Sequence, residues 1–456
     1  MPVLRELATD DPRLAALLAD SDRRLQALAA EAEARAGDFY ERRLGRRLSI
    51  EQAIAEVFAA VEREGDAAVC RYAEAFDGVA LSPERLRVGE AEIAAARARL
   101  PEALRAAIDL AIARVAAYQR RLLPQGFGER LDEPLGARWT PVDAAGAYVP
   151  GGAAGALPLF SSVYMNLVPA KVAGVPRTVL ATPSRRDGSI ADAVLATAAA
   201  IGVDEVYRVG GIPAIAMLAI GTARCPRVET LVGPGNIVVT LAKRQAYGRV
   251  QLDMLAGPSE VVVIADASAD PRWVAADLLS QAEHDPLALC GLLALDGALA
   301  DAVQETLAAQ LAALPEERRR VAGESLTRFG FLVRCRTAED AARLVDALAP
   351  EHLELLVAEP RDLLARIRHA GAIFVGPWSP EPIGDYLAGP SHTLPTGGGA
   401  RRWSGLGPEC FLKRTSIVNL DAEAFRSLVE AAELLARAEG LEAHARALAI
   451  RRQPRA

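Results

Sequence analysis

Residues 145–152 read AGAYVPGG, an apolar run that breaks into a proline and two glycines. Residues 161–174 (SSVYMNLVPAKVAG) read as a helix, and residues 177–183 (RTVLATP) as the next apolar strand. The same alternation continues. ADAVLATAAAIG (191–202) is a helix, EVYRVGG (205–211) a strand, PAIAMLAIGT (213–222) a helix, and TLVGPGN (230–236) a strand with a turn. Strands alternating with helices at this spacing imply a parallel sheet. The pattern restarts at Ser259–Ile264, SEVVVI, followed by the helix-like WVAADLLSQAEHD (273–285) and the strand ALCGLLAL (288–295). FGFLVRC, AEDAARLVDAL, HLELLVA and GAIFVG extend it to Gly376. The fold class is α/β, with two parallel-sheet units in succession.

Outside these units, residues 10–60 and about 83–122 have apolar residues at helical spacing. A polar, proline-containing stretch, LPQGFGERLDEPLGARWTPVD (123–143), reads as a boundary, and the chain after Gly399 reads as a tail with a long helical end. Hydrophobic residues make up 51% of the chain and aromatics 5%, so the core is built from Ala, Val, Leu and Ile. A net charge of −7, with no basic block, argues against a nucleic-acid partner. No apolar run is long enough to span a membrane. The N-terminus carries acids where a signal peptide has an apolar stretch, and the five cysteines are scattered, without a CxxC pair. These features predict a cytoplasmic protein. Only three basic residues are lysine, namely Lys171, Lys243 and Lys413.

There are five histidines, and none precedes His284. Four keep acidic company: His284 with Glu283 and Asp285, His352 with Glu351, His392 with Asp385, and His444 with Glu439. Histidine is both a common transition-metal ligand and the usual proton carrier near neutrality, so the pattern points to one metal or acid–base site. Gln281 and His284 are three apart in a helix-like segment and share a face; a polar helix end is the plainer reading. Asp385 and His392 fall in a glycine- and proline-rich loop, where a scaffold can hold catalytic groups. Glu351 and His352 can serve separate steps, one activating water and the other taking a proton from an alcohol. An acid at a helix start after Pro350 is the alternative for Glu351. Glu439 and His444 sit in the last helix-like segment, where a solvated face is the alternative. His369, before a buried strand, reads as structural. The turns Tyr148–Gly152 and Gly233–Asn236 follow apolar runs and let backbone N–H groups approach phosphate, although no GxGxxG is present. A third turn, Ala256–Glu260, places the Ser259 hydroxyl at the mouth of the second unit.

Taken together, GAYVPGG (146–152), SSVYMNLVPAKVAGV (161–175), GPGN (233–236), AKRQ (242–245), LDMLAGPSEV (252–261), QAEHD (281–285), PEHLE (350–354), GDYLAGPSHTLPTGG (384–398), FLKRTSIV (411–418) and EGLEAH (439–444) resemble the histidinol dehydrogenase family, in order and roughly in spacing. The resemblance runs from about residue 48 to the C-terminus. It implies a homodimer of two incomplete Rossmann-like domains. A helical arm would occupy residues 1–48. The substrate and zinc domain would combine 49–145, including a helical linker near 100–145, with 258–400. The NAD domain would span 146–257, and a C-terminal domain, 401–456, would be exchanged between subunits. The resemblance implies one zinc per subunit, held by Gln281, His284, Asp385 and His444, a donor set suited to that metal. Implied substrate contacts are Ser259, His352, His392 and Glu439 together with the metal ligands. His352 would be the general base, Glu351 the activator of water, and Tyr148 and Asn236 the NAD contacts.

The implied reaction is the oxidation of L-histidinol to L-histidine through bound histidinaldehyde, the last steps of histidine biosynthesis, with each oxidation reducing one NAD. Three departures from the family pattern stand out. Pro213 replaces a glutamine that touches NAD, Ser391 replaces an asparagine before the loop histidine, and the stretch AAGALPLF (153–160) is longer than expected. Two alternatives remain at this stage: a relative of the same fold acting on another amino alcohol or a polar diol, and a zinc hydrolase.

Overall fold

The computed structural model describes residues 3–8, 11, 14, 21–151, 159–255 and 257–452. The expected helix before residue 21, Gly152 and the alanine-rich stretch after it as far as residue 158, and Ala256 lie outside them. The chain divides into two compact units, residues 1–122 with 142–411, and residues 123–141 with 412–456.

The first unit contains two parallel sheets. The five-stranded sheet has the order Glu205–Arg208, Arg177–Thr182, Ala144–Tyr148, Thr230–Val232, Gln251–Leu252. The six-stranded sheet has the order Arg5–Glu6, Phe331–Arg334, Leu289–Ala294, Glu260–Ala265, His352–Leu356, Ala372–Val375. The run Glu260–Ala265 shows why such strands are apolar throughout. Val261, Val263 and Ala265 join the core under the helices Pro271–Ala282 and Gly297–Ala313. Val262 and Ile264 join the opposite core, with Val345 of the helix Ala338–Leu348. Alternate side chains point to opposite faces, and both faces are covered.

Several expectations are corrected. Residues 49–145 were grouped with the six-stranded sheet. Instead, the helices Ile50–Glu64 and Asp66–Asp77 bury Ile50, Val57, Val61 and Val69 in one core with Val179, Tyr207 and Leu231 of the five-stranded sheet. An amphipathic face records that a helix packs, but not against which sheet. The helix Ile50–Glu64 begins in a capping box, Ser49 with Gln52. The arm expected to be helical also contributes Arg5–Glu6 as an edge strand, and the Val3 and Leu4 N–H groups donate to Gln304 Oε1. The strand Ala372–Val375 is an edge strand and only half-buried, against the buried strand expected after His369.

The second unit pairs Leu135–Pro141 antiparallel with Leu412–Val418, followed by the helices Ala422–Ala438 and Glu442–Ala449. The stretch expected to be a boundary thus holds a seven-residue strand, and residues 401–411 belong to the first unit. A lone strand whose partner lies far along the chain leaves no local pairing signal, while its flanking Gly and Pro read as turns. Among the described residues no helix is long and apolar enough to cross a membrane.

Packing at the middle of the six-stranded sheet gives a direct test. Gly291 pairs with Phe331, and a Cβ at Gly291 would lie 2.3 Å from the Phe331 ring. Gly291→Ala is expected to destabilise the fold by about 1–3 kcal/mol through overpacking, with Phe331→Leu in the same chain recovering part of the loss, as read by urea unfolding.

Candidate active site

A cavity of about 520 Å³ is lined by residues from both sheets of the first unit, including Asn236, Ser259, Gln281, His284, Glu351, His352, Asp385 and His392. The turn Gly233–Asn236 follows the carboxyl end of its strand, as open α/β sheets lead one to expect. On the six-stranded sheet the polarity is reversed. Ser259, Glu260, Glu351 and His352 stand at the amino ends of two neighbouring strands.

His352 begins the strand His352–Leu356, as HLELLVA was expected to, and Glu351 immediately precedes it, so the helix-start alternative for Glu351 does not hold. Both are buried. His352 Nδ1 lies 2.9 Å from the Glu260 backbone oxygen. A carbonyl can only accept, so Nδ1 carries the proton and Nε2 keeps its lone pair. Burial lowers the His352 pKa to about 4, against the opposing charge of Asp385, so the ring is neutral at pH 7. Glu351 Oε2 accepts from the Glu260 N–H at 2.9 Å, and Glu260 Oε2 accepts from the Glu351 N–H at 3.2 Å. Burial holds the Glu351 carboxyl well above the usual range, opposed by that N–H donor and reinforced by the Glu260 charge.

Asp385 is on a short helix, Glu381–Tyr386, rather than in the loop expected for it. Its carboxylate lies 3.8 Å from His284 Nε2 and 3.7 Å from His392 Nδ1. His284 is not on a helix face with Gln281. The helix ends at Ala282, and the His284 N–H donates to the Gln281 carbonyl at 3.2 Å in the turn that follows. His392 Nδ1 donates to the Asp385 carbonyl at 3.1 Å, and its Nε2 meets the Ser162 hydroxyl at 3.2 Å. Burial lowers the His392 pKa.

The sequence reading missed Glu381, Glu260 and Ser162. Glu381 is buried, with Oε1 3.9 Å from His352 Nε2 and Oε2 accepting from the Ser280 hydroxyl at 3.3 Å. Burial, with the Asp385 charge, raises its pKa to about 9, and it bonds the Asp385 carboxyl. Glu381 is therefore protonated at neutral pH. Its spacing of four from Asp385 was a signal available in the sequence.

The donors present fit a metal ion. Gln281 is almost fully buried, and among the described residues its Oε1 has no hydrogen-bond partner, an expensive state for an amide oxygen unless it has a ligand. It lines the cavity with His284 and Asp385, an amide, an imidazole and a carboxylate. His352, Glu381 and Asp385 form a second possible group, with ligand atoms within 4.8 Å of one another. His444 and Glu439 are in the second unit, and both are exposed. They do not share one helix: the helix Ala422–Ala438 ends with Glu439 as its C-cap, before Gly440 at φ 76°, and His444 lies on the next helix, Glu442–Ala449.

Of the expected cofactor contacts, Asn236 caps the helix Ile237–Ala246 through Val239 N–H and lines the cavity. Tyr148 lies beneath. It is buried, and its hydroxyl accepts from the Gly211 N–H at 3.3 Å. Pro213 is in the first turn of the helix Gly211–Ile220, where a missing N–H costs nothing. Ser391 turns inward, donating to the Met165 carbonyl at 3.1 Å.

A model of the histidinol dehydrogenase family matches residues 41–452. The histidinol dehydrogenase of Synechococcus sp. is 50% identical over 406 residues, covering 88% of this chain and 92% of that protein. That of Moorella thermoacetica is 49% identical over 423 residues, covering 91% and 99%. The crystal structure of histidinol dehydrogenase from Elizabethkingia anophelis superposes with a TM-score of 0.84 at 34% identity, covering 89% of this chain and 93% of that one. With matching motifs, a matching fold and identity of this extent, the chain belongs to the histidinol dehydrogenase family.

Proposed function

We propose that the protein oxidises L-histidinol to L-histidine in two NAD-linked steps, holding histidinaldehyde between them. One observation carries this reading: a buried, neutral imidazole, His352, with Nδ1 fixed by a carbonyl and a lone pair on Nε2, lines the same cavity as Gln281, His284 and Asp385. Family membership narrows the substrate.

Gln281, His284 and Asp385 would hold zinc, with His444 of the partner subunit as the fourth ligand in an exchanged homodimer. Bound zinc would supply Lewis-acid ligation of the substrate amine and imidazole, and bound NAD a hydride acceptor. Ser259, His392 and Glu439 of the partner subunit would hold the substrate, and Asn236 and Tyr148 would shape the cofactor end. His352 Nε2 takes the alcohol proton as the first hydride leaves. Glu351, when ionised, takes a proton from the water that adds to the aldehyde carbon. His352 then accepts the hydrate proton as the second hydride leaves. Each role suits its surroundings, since a neutral imidazole can accept a proton and a carboxyl with a raised pKa is a stronger base once ionised.

Incubation with L-histidinol and excess NAD should give about two NADH per histidine, with loss on chelation and recovery with zinc. Absence of NADH with zinc present would reject this reading, and hydrolysis without nicotinamide turnover would favour a hydrolase. His352→Asn is expected to slow both hydride steps by about 10²–10⁴. Glu351→Gln should stall aldehyde oxidation while sparing alcohol oxidation; equal loss of both would break the division of roles. The pH dependence separates the two groups further. Glu351 acts only above its raised pKa, whereas His352 remains unprotonated down to about 4. On acidification, aldehyde oxidation should therefore fail at a higher pH than alcohol oxidation, in single-turnover assays with each substrate.

A further inference from the structure

Of the chain's lysines, Lys243 is the one that is buried, and it serves none of the steps above. It lies on the helix Ile237–Ala246, and its Nζ donates to Asp253 Oδ1 at 2.5 Å and to the Gly233 carbonyl at 2.8 Å. Asp253 Oδ2 accepts from the Gly233 N–H at 2.8 Å, and its Oδ1 from the Met254 N–H at 2.7 Å. One ion pair, with side chains 3% and 0% exposed, therefore holds both backbone polar groups of Gly233. Gly233 has φ 110°, and a Cβ there would lie 2.1 Å from the Tyr148 carbonyl oxygen. The turn is thus pressed onto Tyr148 from one side and bonded by the ion pair. Its next residues, Pro234 to Asn236, line the cavity.

We infer that Lys243 and Asp253 are positioning residues for the nicotinamide cofactor: the pair fixes the turn Gly233–Asn236 against which the cofactor binds. The inference rests on the proposed NAD-linked function. Buried from solvent, the pair is little screened by salt, and losing either charge leaves the other unpaired in the interior. The turn would then loosen without any change to His352, Glu351 or the metal-binding residues.

The test uses the full-length protein. NAD binding by calorimetry is compared for wild type, Lys243→Met, Asp253→Asn and the double variant, with zinc-dependent L-histidinol binding measured in parallel. The expected result is an NAD Kd raised about tenfold or more with the histidinol Kd little changed. The double variant should be no worse than either single one, because the two residues act as one unit. Hydrogen exchange should show the Gly233 amide protected in wild type and faster in the variants. Folded variants with the wild-type NAD Kd overturn the inference, as does a Gly233 amide that exchanges freely in wild type, a result accessible even if every variant misfolds. Failure of wild type to bind NAD rejects the functional reading itself, while protection at Gly233 still reports the clamp separately.

Discussion

The parallel pairing of Glu260–Ala265 with His352–Leu356 is the constraint on which the site depends. Both strands are buried on both faces, so their register cannot slip without moving apolar side chains out of two cores. That register sets the Glu260 backbone beside the start of the neighbouring strand. From there its N–H serves Glu351, its carbonyl serves His352, and its carboxylate accepts from Glu351 N–H and from Gly397 N–H at 3.1 Å. One residue thereby orients the Glu351 and His352 side chains and ties in the loop that follows His392. The placement of the His352 ring comes from sheet geometry rather than from a loop.

Burial then divides the acidic and basic groups by role. The same desolvation that keeps His352 neutral raises Glu351 and Glu381. Elsewhere in the first unit, the Asp385 carboxylate lies between two imidazoles, and Lys243 pairs with Asp253 beside the turn Gly233–Asn236. The reversed polarity of the two sheets lets one cavity draw a turn from strand ends on one side and Glu351 and His352 from a strand start on the other. This arrangement gives the cavity walls of different origin on its two sides.

Much of this was legible in the residues. Strands such as Glu260–Ala265 and Arg177–Thr182 stood out because two-sided burial demands unbroken apolar runs. The local elements around His284 and Asp385 were misread, because these side chains sit at or just past helix ends, where periodicity stops. Glu260 looked like an ordinary polar residue in an apolar run. Its contacts run through both its backbone and its carboxylate to residues 91 or more positions away, and such pairings leave no sequence signature.

By itself the sequence determined the α/β class, the succession of two parallel sheets and, through its joined motifs, the family and the histidines with acidic neighbours. Those features are carried by local pattern and residue identity. Only the tertiary structure decided which sheet the N-terminal helices cover, the partner of the strand Leu135–Pro141, the proton-bearing nitrogen of His352, and the burial of Glu381 and Lys243. Each of these depends on groups far apart in the chain coming within a few ångströms, and in a low-dielectric interior that proximity, more than residue type, sets charge state and role.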